Sequence, residues 1–225
     1  MGNAAFGFAA CALAVSDRPE LAALAVLAAI LMDSLDGALA RSLHVESTLG
    51  AHLDSLADVV SFGVAPALIV GSLLPHGFLA GWLLVVPYPL AATWRLARFN
   101  TGHSDAADHE EQFLGLPSTG AGGAAATAVL VYLRLAETDP AFSVVLLPFL
   151  LALLAGLMAS HMPYRHAGAF ISHLEPLAAV VLGAALVTGT IVWEYQFLFA
   201  ALMWGYVVSA PISTAREIIR AARHA

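Results

Sequence analysis

Leu21-Ala-Ala-Leu-Ala-Val-Leu-Ala-Ala-Ile-Leu-Met-Asp33-Ser-Leu-Asp36-Gly37-Ala-Leu-Ala40-Arg41 decides the fold. The run begins as a membrane span and ends as a charged site. After eight further residues, Gly50 opens a second apolar stretch that carries Asp54 and Asp58. Each ionisable group at membrane depth costs roughly 2.5–3.5 kcal/mol on insertion scales, so such groups mark function by default. Four acids also repel one another unless cations bind between them.

The surroundings are written for lipid. Of 225 residues 60% are hydrophobic and only 11% charged, against about 25% charged in soluble domains. A bilayer-crossing helix needs about 20 predominantly apolar residues. Candidate spans read at 1–16, 21–40, 50–74, 78–99, 117–135, 141–160, 175–190 and 192–215. The expectation is an all-α polytopic transmembrane bundle of about eight spans, forming one domain over residues 1–225. A seven-span reading stays open, because only Gly189, Thr190 and the Trp193-Glu194 region divide the last two. The first span has no basic leader, which argues against a cleaved signal. It is either truncated or starts at the interface.

Orientation rests on arginine, since the chain has no lysine. With eight spans Arg41, Arg95, Arg98, Arg165, Arg216, Arg220 and Arg223 share one side, opposite Arg18 and Arg134. The positive-inside rule then puts both termini, the 40–50 loop and segment 100–116 in the cytoplasm. Trp82, Trp193 and Trp204 fall near span ends, as aromatic-belt residues do. The formal charge of −7 comes largely from the four aspartates and from Asp105, Asp108, Glu110 and Glu111 in one loop. That loop is a solvated connector or a lid. No basic patch points to nucleic acid, and the lone Cys11 allows no intrachain disulfide. The histidines lack metal-ligand spacing, although His44 and His52 flank the acidic stretch. Gly120-Ala-Gly-Gly-Ala-Ala-Ala126 suits close helix packing in lipid.

At about 100° per residue, Asp33, Asp36, Gly37, Ala40 and Arg41 share one helix face, while Gly50, Asp54 and Asp58 form an i, i+4, i+8 stripe on the next. The short connection makes the two helices antiparallel neighbours, with all four carboxylates about 6–12 Å from one helix end. Oxygen-only donors select hard cations such as Mg²⁺, Mn²⁺ or Ca²⁺, and four carboxylates could hold two of them, as in phosphoryl-transfer sites. The glycines leave room for a bulky ligand, and Arg41 suits a bidentate phosphate contact. Buried salt bridging is a poor alternative, because one arginine cannot neutralise four acids. A proton relay or cation transporter also uses buried aspartate, but needs neither the paired glycines nor the Ala-Arg step.

With every fixed position of D-x2-D-G-x2-A-R-x8-G-x3-D-x3-D filled over Asp33–Asp58, the chain resembles the CDP-alcohol phosphatidyltransferase family. Leu53-Asp-Ser-Leu-Ala-Asp58-Val-Val-Ser-Phe-Gly-Val-Ala-Pro-Ala67, Arg95-Leu-Ala-Arg98-Phe-Asn100 and Phe113-Leu-Gly-Leu-Pro117-Ser118 look like its bacterial phosphatidylserine-forming branch. The resemblance implies transfer of a phosphatidyl group from CDP-diacylglycerol to L-serine, releasing CMP. It implies two divalent ions, Mg²⁺ or Mn²⁺, on Asp33, Asp36, Asp54 and Asp58. Gly37, Ala40, Arg41 and Gly50 would line the nucleotide diphosphate pocket, and Asp58 would also take the acceptor's proton. The implied location is the bacterial cytoplasmic membrane with the site facing the cytoplasm.

Arg95, Arg98 and Asn100 stand at the cytoplasmic end of their helix, at the depth for contacting serine. The alternative for both arginines is anchoring of that helix end. Other acceptors (inositol phosphate, glycerol phosphate, choline) stay open, but a phosphorylated one would need more basic residues. An intramembrane aromatic prenyltransferase would need a second aspartate motif in the other half, where none is found. The small-residue helix faces and the resemblance are compatible with a homodimer.

Overall fold

The computed structural model describes residues 2–43, 47–75, 77–102, 113–139, 143–164 and 195–224. They form α1 (Gly2–Val15), α2 (Pro19–Ser42), α3 (Thr48–Asp58), a π-helical segment (Val59–Val64), α4 (Ala65–Leu73), α5 (Leu79–Val85), α6 (Pro87–Gly102), α7 (Ser118–Thr138), α8 (Leu146–Ala159) and α9 (Tyr195–His224). Two short strands, β1 (Phe113–Leu114) and β2 (Pro163–Tyr164), pair antiparallel with Phe113 opposite Tyr164.

Four helical stretches among these residues are long and apolar enough to cross a bilayer: Pro19–Ala40, Thr48–Leu73, Ser118–Thr138 and Tyr195–Arg216. Gly2–Val15 and Leu146–Ala159 are shorter apolar helices. The protein is thus a helical membrane bundle. The expected span at 175–190 and the acidic loop 104–111 lie outside the described residues. Large apolar side chains such as Leu35, Leu56, Leu83, Trp94 and Phe149 point outward, as a lipid-facing surface requires.

One expected span is interrupted and another is locally widened, each at a proline. At 78–99 the helix breaks between α5 and α6 where Pro87 offers no backbone N–H. In the 50–74 span Pro66 is decisive. A proline ring clashes with the carbonyl four residues earlier and cannot donate to it. That carbonyl belongs to Phe62, and the chain widens there into a π turn, with the Ala65 N–H bonding to Val60 O. The buried Tyr88 hydroxyl donates to Phe62 O at 2.9 Å, satisfying the orphaned acceptor.

The π segment is where neighbouring helices converge. A Cβ at Gly7 of α1 would overlap the Ser61 hydroxyl, one at Gly63 would stand 3.1 Å from Ala92 Cβ of α6, and one at Gly122 of α7 would stand 3.0 Å from Phe62 Cβ. Lipid supplies no hydrophobic force between helices, so association depends on such close approach. The small-residue run of α7 is buried in the centre of the bundle as expected, from Ala121 through Thr127. Its Gly123 faces Met203 of α9 and Ile30 of α2.

The two acidic spans are neighbours as expected, but α2 meets the second through the π segment and α4 rather than along α3, while α1 packs extensively on α2 and also against α3. The N-terminal turn of α1 therefore reaches between the two acidic helices.

Candidate active site

Asp33 and Asp36 lie in the second half of α2, and Asp54 and Asp58 in the second half of α3. Asp33, Asp36 and Asp58 are half-buried and Asp54 is exposed. Asp33, Asp54 and Asp58 are close enough to feel one another's charge. α3 is held at its start by Ser47, whose Oγ accepts the Gly50 N–H at 3.0 Å.

The carboxylates meet through Asn3 of α1. Its Nδ2 donates to Asp58 Oδ1 at 2.8 Å and to Asp33 Oδ1 at 3.3 Å. The Asn3 backbone N–H points to Asp36 Oδ2 at 3.5 Å. Three of the four predicted acids, from two helices, thus meet one residue, two of them at its side chain and Asp36 at its backbone.

Among the described residues, no three His, Cys, Asp or Glu side chains converge closely enough to hold an ion together as placed. The donor set still fits a hard cation in its chemistry, being carboxylate oxygen throughout. Each amide bond from Nδ2 engages one oxygen of Asp33 or Asp58 and leaves the other without a hydrogen bond among the described residues. A buried orphan oxygen, Asn3 Oδ1, adjoins them.

Of the predicted lipid-nucleotide residues, Gly37 and Ala40 are half-buried on α2 and Gly50 is exposed on α3. A Cβ at Gly50 would meet only the Ser47 hydroxyl, at 3.0 Å, so its outer side is open to a ligand. Arg41 belongs to the last turn of α2, and its side chain falls outside the described structure.

The three acceptor candidates separate. Arg95 is buried at 6% exposure, donates to Ser118 Oγ at 3.2 Å and lies within electrostatic reach of Asp58. Arg98 donates to the Ser160 carbonyl at 3.3 Å, tying α6 to the end of α8. Asn100 exchanges hydrogen bonds with Ser55 of α3, its Nδ2 donating to Ser55 Oγ at 3.1 Å. Ser118 is set in place by the preceding turn. There Gly115 has φ +85°, its N–H bonds Met162 O at 2.9 Å, and a Cβ would stand 2.8 Å from Ser160 O.

Sequence reasoning assigned no role to Asn3, Ser61 or Ser118. For Asn3 the available signal was a polar amide at the head of an otherwise apolar stretch. For Ser118 it was membership of the Phe113–Ser118 motif.

Comparison with known proteins places the chain in a family. The CDP-alcohol phosphatidyltransferase family profile matches residues 1–212. The chain is 38% identical over 132 residues to a CDP-diacylglycerol–serine O-phosphatidyltransferase of Mycobacterium leprae, covering 57% of this chain and 43% of the relative. It is 36% identical over 126 residues to an archaetidylserine synthase of Methanothermobacter thermautotrophicus, covering 52% and 49%. It is 32% identical over 123 residues to the Bacillus subtilis CDP-diacylglycerol–serine O-phosphatidyltransferase, covering 54% and 67%. The aligned part of the chain spans less than half the length of the mycobacterial relatives. With the family profile matched from α1 into α9 and its acidic signature gathered around Asn3, the chain belongs to the CDP-alcohol phosphatidyltransferase family.

Proposed function

We propose that this protein transfers a phosphatidyl group from CDP-diacylglycerol to the hydroxyl of L-serine, giving phosphatidylserine and CMP. One observation carries the reading: the complete family signature, Asp33 to Asp58, sits on two membrane helices whose acids meet around one amide. Serine as acceptor is favoured because the similar proteins from bacteria and from an archaeon differ in lipid name but share serine in theirs. The sequence offers few further basic residues around the signature, and a phosphorylated acceptor would call for more.

The family is generally divalent-metal dependent. Asp33, Asp36, Asp54 and Asp58 would hold Mg²⁺ or Mn²⁺, two ions in our reading. Once bound, such ions neutralise the diphosphate and stabilise charge developing on its leaving oxygen. Gly37, Ala40, Gly50 and Arg41 would seat the cytidine diphosphate, the glycines by leaving space against the backbone. Arg95, with Ser118 beside it, would attract the serine carboxylate, and Asn100 and Arg98 would border the same end of α6.

Asp58 accepts the proton of the serine hydroxyl. The freed oxygen attacks the lipid-linked phosphorus, a new P–O bond forms, and the bond to CMP breaks with CMP leaving as the anion. A base must lie within hydrogen-bond reach of the nucleophile, and Asp58 lies within electrostatic reach of the buried Arg95. The whole chain acts as one domain in a bacterial cytoplasmic membrane, with the site on the cytoplasmic side and a homodimer as its assembly.

The test is CMP release by purified protein with CDP-diacylglycerol and Mn²⁺ or Mg²⁺, offered serine, inositol phosphate, glycerol phosphate or choline. Turnover with serine alone supports the reading. Turnover with another alcohol would replace the acceptor, and cation flux without CDP-lipid would favour transport.

A further inference from the structure

We propose that Asn3 is a positioning residue of this site: its carboxamide fixes the Asp33 and Asp58 carboxylates so that one oxygen of each stays open to a divalent cation. The inference rests on the proposed cation-binding role of the aspartates and adds a residue outside the signature.

Asn3 lies inside α1, and its side chain reaches across to two other helices, donating to Asp58 Oδ1 at 2.8 Å and Asp33 Oδ1 at 3.3 Å. It is 1% exposed, and its Oδ1 is buried with no hydrogen-bond partner. A buried amide with an unmet acceptor is a poor device for mere packing, since an apolar residue of similar size would avoid that desolvation. It suits a site that acquires another ligand.

The fold is arranged to hold Asn3 there. The Ser61 hydroxyl of the π segment donates to the Asn3 carbonyl at 3.1 Å. One turn along α1, Gly7 lets the helix press against Ser61, where a Cβ would stand 2.8 Å from Ser61 Cα. The π segment begins directly after Asp58, so the feature that receives α1 is joined to the acid that Asn3 grips. Residues that donate to metal-ligating groups fix their orientation and commonly alter affinity 10–100-fold when removed.

The experiment measures Mn²⁺ binding to the detergent-purified full chain by the EPR signal of free Mn²⁺, without substrate. Wild type is compared with Asn3→Ala, with the volume-conserving Asn3→Leu, and with Asn3→Gln, which keeps the donor. Melting temperature in EDTA is recorded for each. Asn3→Ala and Asn3→Leu should bind Mn²⁺ about 10–100-fold more weakly, with Asn3→Gln recovering part of the loss. Where Asn3→Ala does not fold, Asn3→Leu decides. Affinity within about twofold of wild type in the variant that folds would overturn the inference alone. So would a loss that merely follows the melting temperature and is not recovered by Asn3→Gln. A folded wild type that binds no Mn²⁺ would sink the cation reading of the aspartates and this inference with it.

Discussion

Gly7 and Ser61 approach so closely that any side chain at position 7 would overlap the Ser61 hydroxyl and stand 2.8 Å from its Cα. The obstruction includes backbone, so neither helix can yield by a simple rotamer change. Gly7→Ala should therefore push α1 away from the π segment. Overpacking of this kind costs about 1–3 kcal/mol. A lower melting temperature in detergent is expected, with a fall in Mn²⁺ affinity because Asn3 moves with the helix. An unchanged melting temperature would mean that α1 sits less tightly than the structure has it.

Asp58 is both the proposed base and the acid that Asn3 grips most closely. Asp58→Asn keeps the shape and removes the proton acceptor, so CMP release should fall by about 10²–10⁴-fold, the usual contribution of a positioned base. Melting temperature should hold or rise, because one of several mutually repelling charges disappears. Removing divalent ions with EDTA should abolish turnover in wild type, with recovery on adding Mn²⁺. Residual activity above a tenth of wild type in Asp58→Asn would move the base elsewhere.

Much of this was legible in the sequence, and the misses share a cause. Helix positions followed from apolar length, and the acidic site from the cost of charge at depth. Pro66 orphans the carbonyl four residues before it, but that Tyr88 satisfies this carbonyl depends on a residue 26 positions along the chain. The interposition of α1 between the acidic helices depends on Gly7 meeting Ser61, a long-range fit that periodicity does not encode. Arg95 and Arg98 look alike in sequence because they share a helix end. They differ only in what meets them: Ser118 at the start of α7 for one, and the Ser160 carbonyl for the other.

That difference separates two phenotypes. Arg95→Lys retains charge but loses the planar fork that reaches Ser118, so the KM for serine should rise by at least tenfold. Ser118→Ala removes a charge-assisted hydrogen bond to the guanidinium, worth about 1.5–3 kcal/mol, so it should raise the same KM by about tenfold or more. Arg98→Ala should lower melting temperature by releasing the end of α8, with the KM for serine little changed. Steady-state kinetics over serine concentration distinguishes these outcomes. A larger KM effect at Arg98 than at Arg95 would reverse the assignment.

Pro66 and Tyr88 offer a way to separate the stability of the span from the geometry it provides. Tyr88→Phe removes the hydroxyl that donates to Phe62 O, leaving a buried carbonyl unsatisfied at a cost of about 1–3 kcal/mol. Pro66→Ala restores the missing N–H to that same carbonyl, so the π turn can relax towards α-helix. The relaxed segment would no longer place Ser61 under Gly7 while keeping Asp58 under Asn3, because a π turn holds one residue more than the α turn replacing it. Pro66→Ala should thus leave melting temperature near or above wild type while weakening Mn²⁺ affinity and CMP release. In the double variant, the penalty of Tyr88→Phe should shrink, since the carbonyl has regained a donor. Melting curves and Mn²⁺ titrations of the two single variants and the double variant form a cycle that measures this coupling. Additive melting effects, together with full Mn²⁺ affinity in Pro66→Ala, would show that the π turn is a consequence of the proline without a part in setting the site.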